Sequence, residues 1–203
     1  IAGYSGYGTT GVQINLATGT AHGGDAEGDV LVSIEGFRGS NFNDTLTGDA
    51  GNNAFNGEGG DDILDGGAGN DDIFGETGND TLKGGDGDDF LDGFYGNDNM
   101  DGGAGVDIVC YAHQEGTQGV VVDLTAGTAT DYNGDTDTLA NIENVWGSTF
   151  NDTIKGDGND NFIWGNKGND TLQGMGGNDS LAGDAGDDAL NGGDGVDIAL
   201  YNG

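Results

Sequence analysis

An all-β solenoid is the fold class that this sequence predicts, and three observations predict it. A nine-residue unit repeats eight times without interruption from Gly39 to Cys110. Every unit has an apolar residue at its eighth position, which suits a short strand that turns one side chain inward. The chain contains 46 glycines and no proline, a composition that favours many tight turns. Strict self-similarity at a short period is typical of a solenoid.

The residues of the repeat predict a metal-binding turn followed by a strand. The first position is always glycine, the fourth is glycine except at Phe42, and the sixth is aspartate except at Asn53. We expect the glycines at positions 1 and 4 to permit positive φ and close backbone approach, so that carbonyls turn toward one point. An aspartate there adds a hard, anionic oxygen, the kind of ligand that calcium takes. The aspartates are Asp44, Asp62, Asp71, Asp80, Asp89, Asp98 and Asp107.

A second block of six units occupies residues 147–200 and is less regular. Its second unit carries Asp160 one place early, so we expect a local deletion and insertion to bulge this turn, with Asp160 still serving as a ligand. The remaining candidate ligands are in register: Asp152, Asp170, Asp179, Asp188 and Asp197.

Both blocks resemble the RTX (repeats-in-toxin) haemolysin-type calcium-binding family, whose consensus is GGxGxDxUx. The resemblance implies a right-handed parallel β-roll, a calcium-bound β-solenoid in which two repeats make one turn. Odd and even repeats would then form opposite sheets, with calcium held between loops two repeats apart and about ten ions in all. One edge would carry Asp44, Asp62, Asp80 and Asp98, and the other Asn53, Asp71, Asp89 and Asp107. The inward residues would be Leu46, Leu64, Leu82 and Met100 in one sheet, and Phe55, Ile73, Leu91 and Val109 in the other.

Between the blocks lies a connecting segment that recurs in the chain. Residues 11–48 align without gaps on residues 119–156, an offset of 108 residues or twelve repeats. We therefore predict a connecting module at 1–38 (truncated at its start), a first β-roll block at 39–110, a second connecting module at 111–146, and a second block with the start of another connector at 147–203. Because residues 111–146 equal four repeats in length, we expect the connector to continue the coil.

The connectors carry acids at alternate positions, as calcium loops do. These are Asp25, Glu27 and Asp29 in the first copy, and Asp131, Asn133, Asp135 and Asp137 in the second. Two interpretations stand: a solvated acidic loop, or an additional calcium site in each connector that is stronger in the second. Gly23 takes the place of Asp131 in the first copy.

Charge restricts the partners of this chain. Lys and Arg number 4 against 37 Asp and Glu, which gives a formal net charge of −33. This charge disfavours nucleic acid and anionic membranes as partners, and no apolar run is long enough for membrane insertion. Few large apolar residues and strong self-repulsion would leave the metal-free chain disordered. Calcium binding should therefore supply the folding free energy.

The two histidines, the single cysteine and a group of aromatic rings each have a structural and a functional interpretation. His22 and His113 lie in no catalytic motif, and we expect solvated loop residues and no enzymatic activity in this chain. Cys110 has no partner for an internal disulfide and is expected to be a small buried hydrophobe, an intermolecular bridge being the alternative. The outward-facing rings would pack on a neighbouring connector or form a ligand face; they are Phe74, Phe90, Phe94 and Tyr95.

Together these features predict a calcium-binding repeat region of a secreted bacterial protein, located outside the cell or on its surface. The resemblance implies type I secretion of an unfolded chain. The parent protein would be an extracellular enzyme with this region as a folding aid, an adhesin or surface-layer protein with the array as a spacer, or a carrier of a polysaccharide-binding module. Its partners would be calcium, flanking domains or repeats of the same polypeptide and, in the third case, polysaccharide.

Overall fold

The computed structural model describes residues 2–4, 9–113 and 116–201, and the chain divides into two compact units, Ile1–Asp107 and Ile108–Gly203. Apart from a 3-10 turn at Gly24–Ala26, the regular structure of the described residues is β-strand. No helix in this part of the chain has the length and hydrophobicity needed to cross a bilayer.

The first unit contains eleven strands among its described residues. They are β1 Ala2–Gly3, β2 Gln13–Asn15, β3 Thr20–His22, β4 Gly36–Arg38, β5 Thr45–Thr47, β6 Ala54–Asn56, β7 Ile63–Ala68, β8 Asp72–Phe74, β9 Thr81–Asp86, β10 Phe90–Asp92 and β11 Asn99–Ala104.

The strands of this unit form two sheets by alternate repeats. One sheet has the order β1-β4-β6-β8-β10 and the other β11-β9-β7-β5-β2-β3. Neighbouring roll strands pair in parallel with an 18-residue register, as in Leu46 with Leu64 and Phe55 with Ile73. The separation of odd from even repeats, expected from the family resemblance, is thus confirmed. All eight residues expected to point inward are at most 1% exposed, Val109 in the second unit included.

The connecting segment of the first unit joins both sheets. Strand β2 pairs in parallel with β5 and places Ile14 beside Leu46, while β4 places Phe37 beside Phe55. The turn at Thr18–Thr20 returns the chain as β3, which pairs antiparallel with β2. The connector therefore continues the coil, as expected, but it adds a hairpin where a plain nonapeptide would have a loop.

The second unit repeats this plan. Its strands are β12 Ile108–Cys110, β13 Val121–Asp123, β14 Thr128–Thr130, β15 Thr136–Ala140, β16 Asn144–Trp146, β17 Thr153–Lys155, β18 Phe162–Trp164, β19 Thr171–Gly176, β20 Ser180–Ala182, β21 Ala189–Asp194 and β22 Ile198–Leu200. Within the unit the sheet orders are β12-β16-β18-β20-β22 and β21-β19-β17-β13-β14-β15.

The predicted bulge in the second repeat of this block is wrong. Strand β18 pairs in regular parallel register with β16 and with β20, so that Ile163 lies between Val145 and Leu181. The reason is that this repeat has no insertion: Asn161 occupies the sixth position, as Asn53 does in the first block, and Asp160 simply occupies the fifth.

The backbone conformation at positions 1, 2 and 4 of the repeat agrees only in part with the expectation. Position-4 glycines such as Gly78 (φ +144°) take the left-handed region, as expected. Position-1 glycines do not; they are required by close approach, since a Cβ on Gly57 would lie 2.3 Å from Asp62 Oδ2. From the third repeat of each block onward, position 2 adopts positive φ instead, even where the residue is Glu76 (φ 76°) or Met175 (φ 82°). The sequence gives little sign of this, because non-glycine residues occupy ten of the fourteen position-2 sites.

Candidate metal centre

A ladder of aspartates runs along each edge of the roll. At each step the backbone N–H of one position-6 residue donates to Oδ1 of the position-6 residue one turn later. Examples are Asp62 N to Asp80 Oδ1 and Asp71 N to Asp89 Oδ1, both 2.8 Å. In the second unit, Asp152 N donates to Asp170 Oδ1 at 2.8 Å. The strands bring these carboxylates together because residues 18 apart occupy equivalent places on successive turns.

The second oxygen of these carboxylates is left without a hydrogen bond. In mid-block the Oδ2 atom is buried and has no protein donor at Asp62, Asp71, Asp80, Asp89, Asp170 and Asp179. Each Oδ2 lies over the position-1 glycine of its own repeat, and at all of these except Asp170 a carbonyl from the next turn also points there. A Cβ on Gly66, for example, would lie 2.2 Å from Asp71 Oδ2 and 2.7 Å from the carbonyl oxygen of Gly84.

Burial makes these carboxylates hard to ionise without a counter-charge. It raises the pKa of Asp62 to about 8, an effect that the N–H of Asp44 opposes and the charges of Asp80 and Asp44 reinforce. Burial likewise raises the pKa of Asp170 to about 7 and that of Asp71 and Asp80 to about 6. The pKa of Asp89 and Asp179 is raised by the same cause.

This donor set fits calcium. An unpartnered buried carboxylate oxygen and a converging main-chain carbonyl are hard oxygen ligands, and both occur at Asp62, Asp71, Asp80, Asp89 and Asp179. A cation there would remove the cost of burying an unsatisfied acceptor and the repulsion between stacked carboxylates. The glycine at position 1 keeps this space open, since any side chain would fill it.

The first aspartate of each block is satisfied by the protein itself. Asp44 Oδ1 accepts from Val12 N at 2.6 Å and from Ser40 Oγ at 2.9 Å, and its Oδ2 accepts from Ser40 N at 2.5 Å. Asp152 has the same partners in Val120 N (2.8 Å), Ser148 Oγ (2.6 Å) and Ser148 N (2.7 Å). These two residues stand at the head of the ladder, and neither presents a spare oxygen.

In the second repeat of each block, asparagine replaces aspartate. Asn161 Nδ2 donates to the carbonyl of Glu143 at 2.8 Å, and Asn53 Nδ2 faces the carbonyl of Glu35 at 3.4 Å. An amide can make this contact with the connector, whereas a carboxylate cannot, since it is acceptor-only. Asp160, predicted as a ligand, is exposed and lies outside the buried row.

A second, outer ladder uses position 5 and runs in the opposite direction. Here the N–H of one residue donates to the side chain one turn earlier, as Asn79 N to Asp61 Oδ1 (2.9 Å) and Asn178 N to Asp160 Oδ1 (2.6 Å). It ends at Val106 and Val196, which donate but carry no acceptor. Sequence reasoning missed this ladder, although position 5 is Asn or Asp in every repeat except the last of each block.

The remaining predicted ligands occupy different surroundings. Asp98 and Asp107 are buried in the inner row, with Oδ1 accepting from Asp80 N and Asp89 N at 2.8 Å. Asp188 and Asp197 continue the row in the second unit at partial exposure, accepting from Asp170 N (2.9 Å) and Asp179 N (3.0 Å).

The acids of the two connectors do not form equivalent sites. In the first, Asp29 Oδ2 accepts from the Tyr4 hydroxyl, Glu27 accepts from Gly23 N at 3.0 Å, and Asp25 is exposed. In the second, Asp137 Oδ2 accepts from the Tyr111 hydroxyl at 3.0 Å and Asn133 is exposed. Asp131, together with Asp135, is treated below.

The other features singled out from the sequence lie outside the inner row. Cys110 is buried and forms no disulfide with another described residue, its Sγ lies 3.9 Å from His113 Nδ1, and His22 and His113 are exposed. The four aromatic rings of the first unit pack on one another: Phe74 lies 5.8 Å from Phe90 and 6.4 Å from Phe94, whose ring is 6.5 Å from Tyr95 between centroids.

Comparison with known families agrees with this geometry. The model of the RTX calcium-binding nonapeptide repeat matches four times, over residues 38–73, 74–109, 137–172 and 164–199, and so covers more than half of the chain. No curated protein matches the sequence. The matched segments contain the inner row of carboxylates, and this repeat is a structural, calcium-binding module. The chain belongs to the RTX calcium-binding nonapeptide repeat family.

Proposed function

We propose that the inner row holds calcium through the spare Oδ2 atoms, and that this binding folds the chain after it has left the cell. The observation that carries the proposal is the run of buried carboxylate oxygens with no protein donor. Natural proteins rarely bury such an acceptor unsatisfied, because each costs about 1–3 kcal/mol and more when charged. Six such buried oxygens are best explained by a bound positive charge that balances them.

Net charge supports the same proposal. At −33, the chain repels itself strongly in the unfolded and in the metal-free folded state. About ten calcium ions, the upper number for loops paired two repeats apart, would cancel most of that charge. The satisfied carboxylates of Asp44 and Asp152 support binding in mid-block over binding at the block starts.

The compartment follows from the calcium requirement. Where calcium is scarce, as in the cytosol, the carboxylates stay unpaired and the chain remains unfolded. Where calcium is abundant, as outside the cell, the roll forms. The chain would thus act as a non-catalytic folding and secretion-assisting region of a type I secreted protein, secreted or held at the cell surface.

Two alternatives concern the parent protein. The repeated plan of connector and block suits a spacer in an adhesin or surface-layer protein, since within each unit the connector pairs in parallel with the first roll strand. The aromatic cluster of the first unit suits a polysaccharide-binding module attached to an extracellular enzyme. Glycan retention that is lost on Phe90→Ala and Tyr95→Ala, with calcium-induced folding intact, would favour the latter.

A calcium titration tests the main proposal. In chelator at neutral pH the chain should give a disordered circular dichroism spectrum, and millimolar calcium should produce strand signal and compaction cooperatively. Magnesium should substitute poorly, because it demands tight octahedral geometry and dehydrates reluctantly. A full strand spectrum at neutral pH in excess chelator would overturn the proposal.

A further inference from the structure

One carboxylate outside the roll repeats the signature of the inner row. Asp131 lies in the loop between β14 and β15 of the second connector and is 7% exposed. Its Oδ2 is buried and has no hydrogen-bond partner. No nonapeptide surrounds this oxygen, so the roll does not account for it.

The loop closes around Asp131. Its Oδ1 accepts from Asn133 N at 2.8 Å and from Asp135 N at 3.0 Å, and its own N–H donates to the carbonyl of Asp135 at 3.1 Å. Two donors therefore orient the carboxylate, yet both serve the same oxygen. Oδ2 remains buried and unpaired in the loop that carries Asp135.

The negative charges of the Asp131 and Asp135 carboxylates are unfavourable in this loop without a cation. Burial raises the pKa of Asp131, and the charge of Asp135 adds to this, although N–H donors from the loop act against it. Lys and Arg number only 4 in the chain, and the ion pairs in the described residues lie elsewhere. The positive charge that would balance this pair has to come from a ligand.

The first connector lacks the feature. Gly23 stands at the position of Asp131, with φ +77° and its would-be Cβ 2.7 Å from the carbonyl oxygen of Gly11. The third acid of each connector is engaged by a tyrosine, Asp29 by Tyr4 and Asp137 by Tyr111. This contact occupies one oxygen of that acid in both copies, so Asp131 and Asp135 are the pair that distinguishes the second copy.

We propose that the loop from Asp131 to Asp135 binds one calcium ion through Asp131 Oδ2 and the Asp135 carboxylate, and that the first connector binds none. The ligand class is a hard, oxygen-preferring divalent cation. This site lies in a connecting module and is separate from the sites proposed for the roll. It would fix the loop that joins β14 to β15.

A crystal structure of the full chain grown in calcium tests whether an ion binds at Asp131, with anomalous scattering used to locate the ions. We expect a calcium peak about 2.3–2.6 Å from Asp131 Oδ2. The roll is the internal control: ions in the inner row with none at Asp131 would overturn the proposal. A peak at Asp25, Glu27 or Asp29 would overturn its second half.

Ion counting in solution provides an independent arm. Asp131→Asn keeps an oxygen for the N–H groups of Asn133 and Asp135, so the loop should survive, and the calcium-loaded chain should hold one ion fewer. Glu27→Gln in the first connector is the matched control and should leave the count unchanged. An unchanged count in a folded Asp131→Asn protein would contradict the proposal.

Discussion

The start and the middle of each block use the same aspartate in different ways. At the start, Ser40 and Ser148 donate an N–H and a hydroxyl to the carboxylates of Asp44 and Asp152, and no oxygen is left over. In the middle, position 2 offers no such donors, and Oδ2 stays unpaired. The difference teaches that the protein completes the ladder itself where the roll begins and leaves an acceptor unpaired where the roll repeats, which is where we propose that calcium binds.

The largest expected effect comes from removing a mid-block carboxylate. Asp71→Ala should raise the calcium midpoint of folding roughly tenfold or more, about 1.4 kcal/mol, and lower the number of ions taken up. Asp44→Ala should destabilise the loaded fold as well, since it leaves Val12 N and Ser40 without their acceptor, but with no change in ion number.

The measurement is the slope of unfolding free energy against the logarithm of calcium concentration, which reports the ions bound on folding. Equal slopes and equal midpoints for Asp71→Ala and Asp44→Ala would show that the two places do not differ.

Acid should partly replace calcium in the middle of the blocks. The folded pKa values of Asp62 (about 8), Asp170 (about 7) and Asp80 (about 6) lie above their usual value of 3.8. The metal-free fold therefore binds more protons than the unfolded chain. The resulting stabilisation is fully present below about pH 4 and is lost as pH rises through 6 to 8.

In chelator, strand signal should thus increase as the pH is lowered from 8 toward 5, while the calcium affinity of the loaded form should fall. Circular dichroism and a calcium electrode follow the two effects. A metal-free chain that stays equally disordered from pH 8 to pH 4.5 would contradict the pKa values.

A smaller effect is expected from the serine at the block start. Ser148→Ala removes the hydroxyl donor 2.6 Å from Asp152 Oδ1 and should cost about 1 kcal/mol in the calcium-loaded state, without changing ion number. Ser180→Ala, in the roll strand β20, is the control and should be nearly neutral. A loss of one ion in Ser148→Ala would place a metal at the block start after all.

The smallest effect concerns position 2 away from the block start. Met175 has φ 82° and is 40% exposed, so Met175→Gly should relieve left-handed strain with little loss of packing. We expect a gain of about 0.5–1 kcal/mol in denaturant unfolding with calcium present. Ser148, also at position 2, does not have positive φ, and Ser148→Gly should destabilise. A gain in both variants would refute this assignment.

The sequence predicted the parts of the fold that each repeat determines alone. Strand positions and the inward side chains such as Leu64 and Ile73 were predictable from period and polarity, and the separation of odd from even repeats was predictable from the family resemblance. Contacts between turns were not, because they depend on which N–H faces which oxygen. The serine at the block start, the amide of Asn161 and the outer ladder belong to this class.

The positive φ at position 2 of the repeat was not predicted, for another reason. Glycine marks left-handed backbone only when it is used consistently, and here Glu58, Glu76 and Phe94 occupy it too. A bulge was predicted at Asp160 because an acid one place early looks like a shifted repeat, whereas hydrogen bonding puts Asp160 in the outer ladder and Asn161 in the inner one.

The two opposed ladders govern how such a block can lengthen by duplication. One turn consumes two repeats, so inserting a single nonapeptide would exchange the sheets and turn every downstream ladder to the wrong edge. Inserting two repeats preserves both the sheet to which each strand belongs and the edge on which each ladder lies. The blocks contain eight and six repeats, a difference of one full turn. A valine at the fifth position then ends the outer ladder on its edge, because the side chains of Val106 and Val196 carry no acceptor for an N–H of a following turn.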